Sequence, residues 1–474
     1  MQTLPDLKQL SHEQKDELII LLKKQVDLLQ QEVAELKRRL GLDSRNSSKP
    51  PSGDGLKKPA PKSLRKAGRK RPGGQKGHPG TTLSQTSNPD HVELHAPPAQ
   101  CDVCQRRLPS ADADDVAEIR QVFDLPLVRM EVTEHRALQA YCQCGKLHRG
   151  EFPQQVTSNV QYGPGAKAAM VYLNHHQMLP VQRTASLMDD FFGLPVSQAT
   201  VISACQEARM RVQPTVDAIA EAMIQAPVLH ADESGLRVQK RLYWLHVLAT
   251  PLLTWMGRHE RRGMEAFEAF AILPRFNGTL VHDGWAPYRR LDCSHGLCNA
   301  HHLRELTCVF EQYDGQAWAG DMIRLLGRAS HEHNRAMKKA PARNDSPAQR
   351  QRKIKRWRAR YDRILDLAEA ANPPSPGIGQ GKPYNLVRRL REYADDVWRF
   401  MSEPGVPFTN NVAEQAVRMP KVKQKISGCF RTPEGADTFC VIRSYLATLH
   451  KQGQNLLDAL SETFRGNPVQ PRWC

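Results

Sequence analysis

Three short stretches place a carboxylate where chemistry could be done. In PVLHADESGLRV (227–238) an apolar strand meets Asp232, and in GTLVHDGWAPY (278–288) a second apolar strand ends at Asp283. In TNNVAEQAVR (409–418) a helical pattern carries Glu414. Strand ends of mixed sheets are where sites gather, and a buried unpaired charge is costly, so such acids need partners. Divalent cations are one partner. Lysine and arginine are the other, and basic residues are dense here. Three hard carboxylates suit Mg²⁺, which keeps several waters and completes its shell with substrate phosphates. Two such ions roughly 4 Å apart would activate an attacking hydroxyl or water and stabilise a leaving oxygen in phosphoryl transfer. Glu414 also has a local reading, because Asn411 and Glu414 have the N-cap and N3 spacing of a capping box. A carboxylate that reaches back to its own helix end is turned away from a metal. The expectation is that Asn410 or Asn411 caps the helix and leaves Glu414 facing the aspartates.

Neighbouring residues need separate readings. Glu233 points to the opposite sheet face from Asp232 if the strand continues, and His230 shares the Asp232 face. Asp292 is another acid close in sequence. Trp285 and Tyr288 read as core and loop packing, with base stacking as the alternative. A second kind of chemistry is offered by CDVC and CQC, where Cys101, Cys104, Cys142 and Cys144 can close a tetrahedral structural Zn²⁺ site. The CQC spacing is tight, which leaves His148 as a substitute ligand. Free thiols are the alternative.

The elements that position these groups follow from periodicity. Residues 19–40 carry a heptad with Ile19, Val26, Val33 and Leu40 at a and Leu22, Leu29 and Leu36 at d. β-Branched a with Leu at d favours a parallel dimer, with Glu32 at g reaching Lys37 at e; an amphipathic helix packed on its own domain is the other reading. Residues 41–80 are rich in Pro, Gly, Ser and Lys and lack core formers, so they read as a disordered basic segment that binds phosphates by counterion release. Its basic run includes Arg69, Lys70 and Arg71. In PVQRTASLMDDFFGLPVSQATVISACQEA (180–208) a helix ends at Phe192-Gly193 and Ser197 caps a second, which is helix-turn-helix spacing. Two ordinary helices joined by a tight turn have the same pattern. After Asp232, RLYWLHVLAT and PLLTWMG give a meander, and RRGMEAFEAFAIL a helix. HGLCNAHHLREL enters another helix. Residues 320–403 are helical and basic. Strand, meander, helix and strand, with an acid at the first and fourth strands, open a ribonuclease-H-like domain, which calls for a third acid on a later helix. Glu414 has that place.

Composition agrees with a polyanion partner. The chain has 474 residues and a net charge of +17, and so basic a surface most cheaply binds nucleic acid, with acidic membrane as the alternative. No apolar run approaches the roughly 20 residues of a membrane span, and no signal peptide is evident. Eleven cysteines, four of them in close pairs, suggest a reducing compartment with a metal site.

The sequence resembles bacterial insertion-sequence transposases of the IS66 family. The resemblance is carried in order by NSSKPPS (46–52), RPGGQKGHPG (71–80), HADESG (230–235), HDGWAPY (282–288), CNAHHLREL (298–306), NNVAEQAVR (410–418) and KVKQKISGCFRTPEGAD (421–437). It implies a multidomain α/β chain. The order would be a coiled coil (1–45), a basic linker (46–98), a zinc-ribbon-like module (99–158) and a helix-turn-helix (159–225). A ribonuclease-H-like core (226–318 and 405–450) would follow, split by an α-helical insertion (319–404), with a C-terminal tail (451–474). It implies a DDE triad of Asp232, Asp283 and Glu414 binding two Mg²⁺, exposing 3′-OH ends at the element's terminal inverted repeats and joining them to target DNA. A zinc-containing DNA-binding regulator with an inactive core is the alternative. The same resemblance suggests that Cys298 and His301 shape the core near the acids, with a packed cysteine and a capping histidine as the other reading. Lys421, seven residues after Glu414, matches a basic residue for DNA phosphate, although Pro420 should kink or end that helix. Arg418, four after Glu414, is a further phosphate or salt-bridge candidate, and Lys423 lies in the same basic run. Implied too are a homodimer or larger assembly, small accessory transposition proteins, and a cytoplasmic, nucleoid-associated location.

Overall fold

Apolar runs punctuated by turn residues build one five-stranded sheet, and helices cover both of its faces. The computed structural model describes residues 11–43, 45–47, 83–110, 116, 118–124, 130–337, 346–374 and 381–473. Most of the basic segment, with Arg69, Lys70 and Arg71, lies outside these residues. The chain divides into two units, residues 60–131 and residues 1–59 with 132–474. In the smaller unit, Gln100 and Arg107 bridge antiparallel around the Cys101–Cys104 turn. Gln121 exchanges hydrogen bonds with the Thr86 backbone.

The larger unit opens with helix α1 (His12–Leu40), started by a capping box between Ser11 and Gln14. Its heptad side chains, from Ile19 to Leu40, are exposed. The C-terminal end of α1 is tied down: Arg38 lies 5.2 Å from the Tyr313 ring centroid and Asn46 donates to Glu311 at 3.2 Å. Strands β1 (Gln139–Tyr141) and β2 (Leu147–Arg149) form a small hairpin. Helix α2 (Pro164–Val171) runs through a π-turn at Tyr172–His176 toward α3 (Val181–Phe192). Gly193 ends α3 in the left-handed conformation, at φ 59°, and Ser197 Oγ accepts from Thr200 N at 3.0 Å to start α4 (Gln198–Ile224). The expected pair of helices around a tight turn is therefore present.

The sheet follows: β3 (Val228–Val238), β4 (Arg241–Ala249) and β5 (Thr254–His259) form an antiparallel meander. The β3–β4 turn is Gln239-Lys240, both at positive φ, as a two-residue hairpin of this hand requires. Helix α5 (Met264–Phe270) crosses to β6 (Thr279–His282), and β7 (Ser294–Leu297) lies outside that. The order is β5-β4-β3-β6-β7, with β6 and β7 parallel to β3. Sequence periodicity did not anticipate β7, whose four residues are too few to show alternation.

Alternation along β3 sorts the two faces. Leu229 and Ala231 pack with Phe267, Leu280 and Tyr288 beneath α5. Leu236 and Val238 face the other way, with Val417 and Phe439 from α11 (Asn411–Ser427) and α12 (Pro433–Lys451). Between β7 and α11 come α6 (Asn299–Gln312), α7 (Ala317–Met337), α8 (Pro347–Ala371), α9 (Lys382–Glu392) and α10 (Ala394–Ser402). Their core, with Trp318, Tyr361 and Trp398, is continuous with Val281 and Leu297 of the sheet. Helix α12 covers the open edge of β5: Ser444 and Thr448 accept from Met256 N at 2.8 Å and Thr254 N at 2.9 Å, satisfying edge amides that would otherwise invite another strand. The segment after α12 is no loose tail. Helix α13 (Leu456–Phe464) buries Leu456, Leu460 and Phe464 against α2 and α4.

Candidate active site

Strand register brings the two aspartates together. The parallel pairing of β3 with β6 ends at His230 opposite Val281; two residues further along, Asp232 stands beside Asp283. Both share the parity of the α11-facing side. Asp232 is not at a strand end as the sequence suggested, since β3 runs on to Val238. What ends there is its pairing with β6. Asp283 is the first residue after β6, and its Oδ1 accepts from Trp285 N at 2.9 Å across Gly284, which sits at φ 93°. Burial pushes the Asp232 carboxyl up to about 7, helped by the charges of Glu233, Asp283 and Glu414, in that order. These acids therefore share one field.

Glu414 comes from the first turn of α11, but the capping box does not form. Asn410 is the N-cap and Asn411 the first helical residue, so Glu414 falls one position beyond N3. The Asn410 side chain makes no cap. It is 1% exposed and fastens α11 to β3, donating to Ala231 O at 2.7 Å and accepting from His230 Nδ1 at 2.9 Å. Because Nδ2 of Asn410 donates to the carbonyl, Oδ1 is the acceptor and His230 carries its proton on Nδ1. Burial depresses His230 to about 4, so it is neutral. A tertiary partner has displaced a local cap, and Glu414 is left facing inward.

The first turn of α6 meets Glu414 from the other side. Asn410 N–H donates to Cys298 Sγ at 3.2 Å. Cys298 Sγ lies 3.7 Å and His301 Nδ1 3.9 Å from Glu414 Oε1. Burial pushes the Cys298 thiol up to about 11. Cys298 and His301 are thus in contact with the third acid, as a helix N-terminus carrying C-x2-H allows.

The basic-partner alternative is realised by a different acid. Glu233, on the opposite face, is 2% exposed and paired to Arg262 at 2.5 Å, and Tyr288 Oη donates to it at 2.5 Å. Arg262 stacks 3.9 Å from the Trp285 ring centroid, and Tyr288 stacks on Phe267, so both aromatics are packing residues. Among the described residues, Asp232, Asp283 and Glu414 have no lysine or arginine in ion-pairing range. Sequence reading missed Arg262 and Tyr288 as the partners of Glu233, because neither is near it along the chain. Asp292 is exposed and precedes β7. It lies at the opposite end of the parallel strands from Asp283.

Helix α11 continues through Pro420 to Ser427, so the expected break does not occur. At about 100° per residue, Arg418 and Lys421 stay near the Glu414 face and Lys423 falls about 180° away. Arg418 and Lys421 are exposed. Lys423 is turned inward toward Cys205 and His175, and burial lowers its pKa. Its grouping with outward basic residues is corrected by this helical phase.

The cysteine pairs sit on tight turns. Cys101 N–H donates to Arg106 O and Gln105 N–H returns to Cys101 O, both at 2.9 Å. In the larger unit, Cys142 and Cys144 occupy the β1–β2 turn, closed by Gly145 N–H to Cys142 O at 2.8 Å. The backbone N–H of Cys104 holds the Cys101 thiol below its usual value, and that of Cys144 does the same for Cys142. These donors favour thiolates, the form that binds zinc. His148 is exposed on β2, opposite Ala140.

Fold and site together define an α/β protein with a carboxylate-rich centre where parallel pairing runs out. Residues 159–438 match the model described as Transposase IS66 family. The chain belongs to the IS66 family of transposases, enzymes that act on DNA. Residues 2–84 match DUF6444, a family of unknown function. No curated protein matches the chain. Among the described residues no helix is long and apolar enough to cross a membrane.

Proposed function

We propose that this chain cleaves DNA at the ends of an insertion sequence to expose 3′-OH groups and joins them to target DNA, with Asp232, Asp283 and Glu414 as its catalytic acids on a ribonuclease-H-like core. The reading is carried by one observation: three acids from β3, the end of β6 and α11 converge, with no basic partner among the described residues. Their donor set fits a hard divalent cation, since all three are carboxylates and the Asp232 carboxyl resists ionising in the field of the others. Asp232, Asp283 and Glu414 would hold Mg²⁺, in two ions, which supplies activation of the attacking oxygen and charge relief at the leaving one. The chain's own work is placement. Sheet register sets the aspartates, and Asn410 sets Glu414 by tying α11 to Ala231 and His230. Arg418 and Lys421 offer cations to DNA phosphates along the exposed face of α11.

The outlying parts serve DNA ends. We assign the pair Cys101 and Cys104, and the pair Cys142 and Cys144, to structural zinc ligation, each supported by turn amides that favour thiolates. Helices α3 and α4 form a helix-turn-helix for the terminal repeats, and the exposed heptad of α1 pairs with a second copy of the chain. The test supplies DNA ends with pre-cut 3′-OH groups and Mg²⁺. Joining is expected from the wild type. Asp232→Asn, Asp283→Asn and Glu414→Gln should each bring it to background while end binding persists. Retained joining in one variant removes that residue from the triad. Hydrolysis without joining makes the chain a nuclease, and specific binding with no Mg²⁺-dependent cleavage makes it a regulator.

A further inference from the structure

Among the described residues, a cysteine, a histidine and an acid come together where α6 meets α11. Cys298 Sγ, His301 Nδ1 and a Glu414 carboxylate oxygen all lie within 4.8 Å of one another. We propose that Cys298, His301 and Glu414 form a soft-metal site for Zn²⁺ or a similar thiophilic divalent ion, and that filling it withdraws Glu414 from DNA chemistry. The second half of this proposal rests on the reading of Glu414 as a catalytic acid.

Spacing favours a tetrahedral ion. The measured separations from Glu414 Oε1 are 3.7 Å to Cys298 Sγ and 3.9 Å to His301 Nδ1. A tetrahedral ion with bonds of about 2.0–2.3 Å spaces its ligand atoms by ~3.3–3.8 Å. Octahedral Mg²⁺, with bonds of about 2.1 Å, would need neighbours ~3.0 Å apart. The ligand types point the same way, because thiolate and imidazole suit zinc while Mg²⁺ prefers oxygen alone.

The surroundings are those of a prepared site. His301 Nδ1 is buried and has no hydrogen-bond partner, an orphaned ring nitrogen aimed at the other two ligands. Cys298 and His301 sit at N-cap and N3 of α6, locked by His301 N–H to Cys298 O at 3.1 Å. Asn410 N–H points at Cys298 Sγ from 3.2 Å, the outer donor that a metal-bound thiolate uses. Glu414 keeps 23% of its side chain exposed, which leaves an entry path and room for a water as fourth ligand. On binding, the Cys298 S–H bond breaks, the metal–sulfur bond forms and one proton leaves to solvent. The two roles compete for one carboxylate, since the Glu414 oxygen that lies against Cys298 and His301 belongs to the acid that also acts on Asp232.

Equilibrium dialysis of the full-length protein against buffered free Zn²⁺ tests the site without needing activity. Wild type should take up one more equivalent than Cys298→Ser or His301→Gln, or each variant should bind that equivalent about 10-fold more weakly or worse. Equal uptake by wild type and both variants overturns the site. In Mg²⁺-dependent joining, micromolar Zn²⁺ should inhibit wild type, and Cys298→Ser, normalised to its own zinc-free rate, should need at least about 10-fold more. Equal sensitivity means that zinc acts at the aspartates and overturns the switch. A chain that joins no DNA overturns the reading of Glu414 and the switch built on it, while dialysis still decides the metal site.

Discussion

Replacing Asp232 with asparagine should stabilise the metal-free protein, and by an amount that grows with pH. The Asp232 carboxyl is lifted from its ordinary 3.8 to about 7, first by burial and then by Glu233, Asp283 and Glu414. The folded protein thus keeps a proton that the unfolded chain releases near pH 4. The contribution of Asp232 to the stability of the metal-free wild type therefore falls as pH rises from about 4 to about 7 and is level above that. At about 1.4 kcal/mol per pH unit, ionising Asp232 in the fold costs about 4 kcal/mol at pH 8. Asp232→Asn keeps the shape and removes that cost. For a core of this size, at about 2–4 °C per kcal/mol, the variant should melt on the order of 10 °C higher in EDTA at pH 8. The two proteins should converge at pH 4. Differential scanning calorimetry from pH 4 to 8.5 gives the comparison. Mg²⁺ should then raise the wild type toward the variant and leave the variant nearly unmoved, because only a carboxylate gains from the cation. A gap between variant and wild type that fails to widen from pH 4 to 7 in EDTA, or a variant that melts no higher at pH 8, would refute the shared-field account of these acids.

Other predictions follow from single contacts. Asn410→Ala leaves Ala231 O and His230 Nδ1 buried without partners, which should cost about 2–3 kcal/mol and lower joining further than the loss of stability explains; unfolding in denaturant beside single-turnover joining checks both. Lys421→Ala should flatten the salt dependence of DNA binding by about one unit of log–log slope, whereas Lys423→Ala should leave the slope alone and lower the melting temperature. If the α1 heptad pairs two copies as proposed, wild type should sediment as a dimer in analytical ultracentrifugation and Leu29→Glu as a monomer, with the core's melting transition unaltered, because the Leu29 side chain is exposed within one copy.

How far the sequence could be read depended on the range of the interaction. The meander, the Gly193 turn with its Ser197 cap, and the placement of Asp283 and Glu414 are local patterns, and periodicity displays them. Long-range partners are not displayed. Asn410 looked like a helix cap, because cap spacing is a local rule; the His230 and Ala231 contacts that take its side chain come from a strand far earlier in the chain. Pro420 looked like a helix breaker. It costs one helical hydrogen bond, yet it is buried and α11 continues past it to Ser427. Lys423 looked like part of a basic surface until helical phase turned it inward. The acids were legible as candidates one by one. Only the parallel register of β3 and β6 puts two of them side by side, and no pattern within either strand encodes that pairing.

Helix α6 has a mechanical consequence. Its N-terminal end carries Cys298 and His301 against Glu414, while Glu311 and Tyr313 at its other end grip the foot of α1 through Asn46 and Arg38. Fourteen residues make a stiff rod about 21 Å long. The surface that would recognise a second copy and the carboxylate that would meet DNA are therefore the two ends of one lever. A second copy seated on α1 and DNA seated at Glu414 would bear on opposite ends of the same helix.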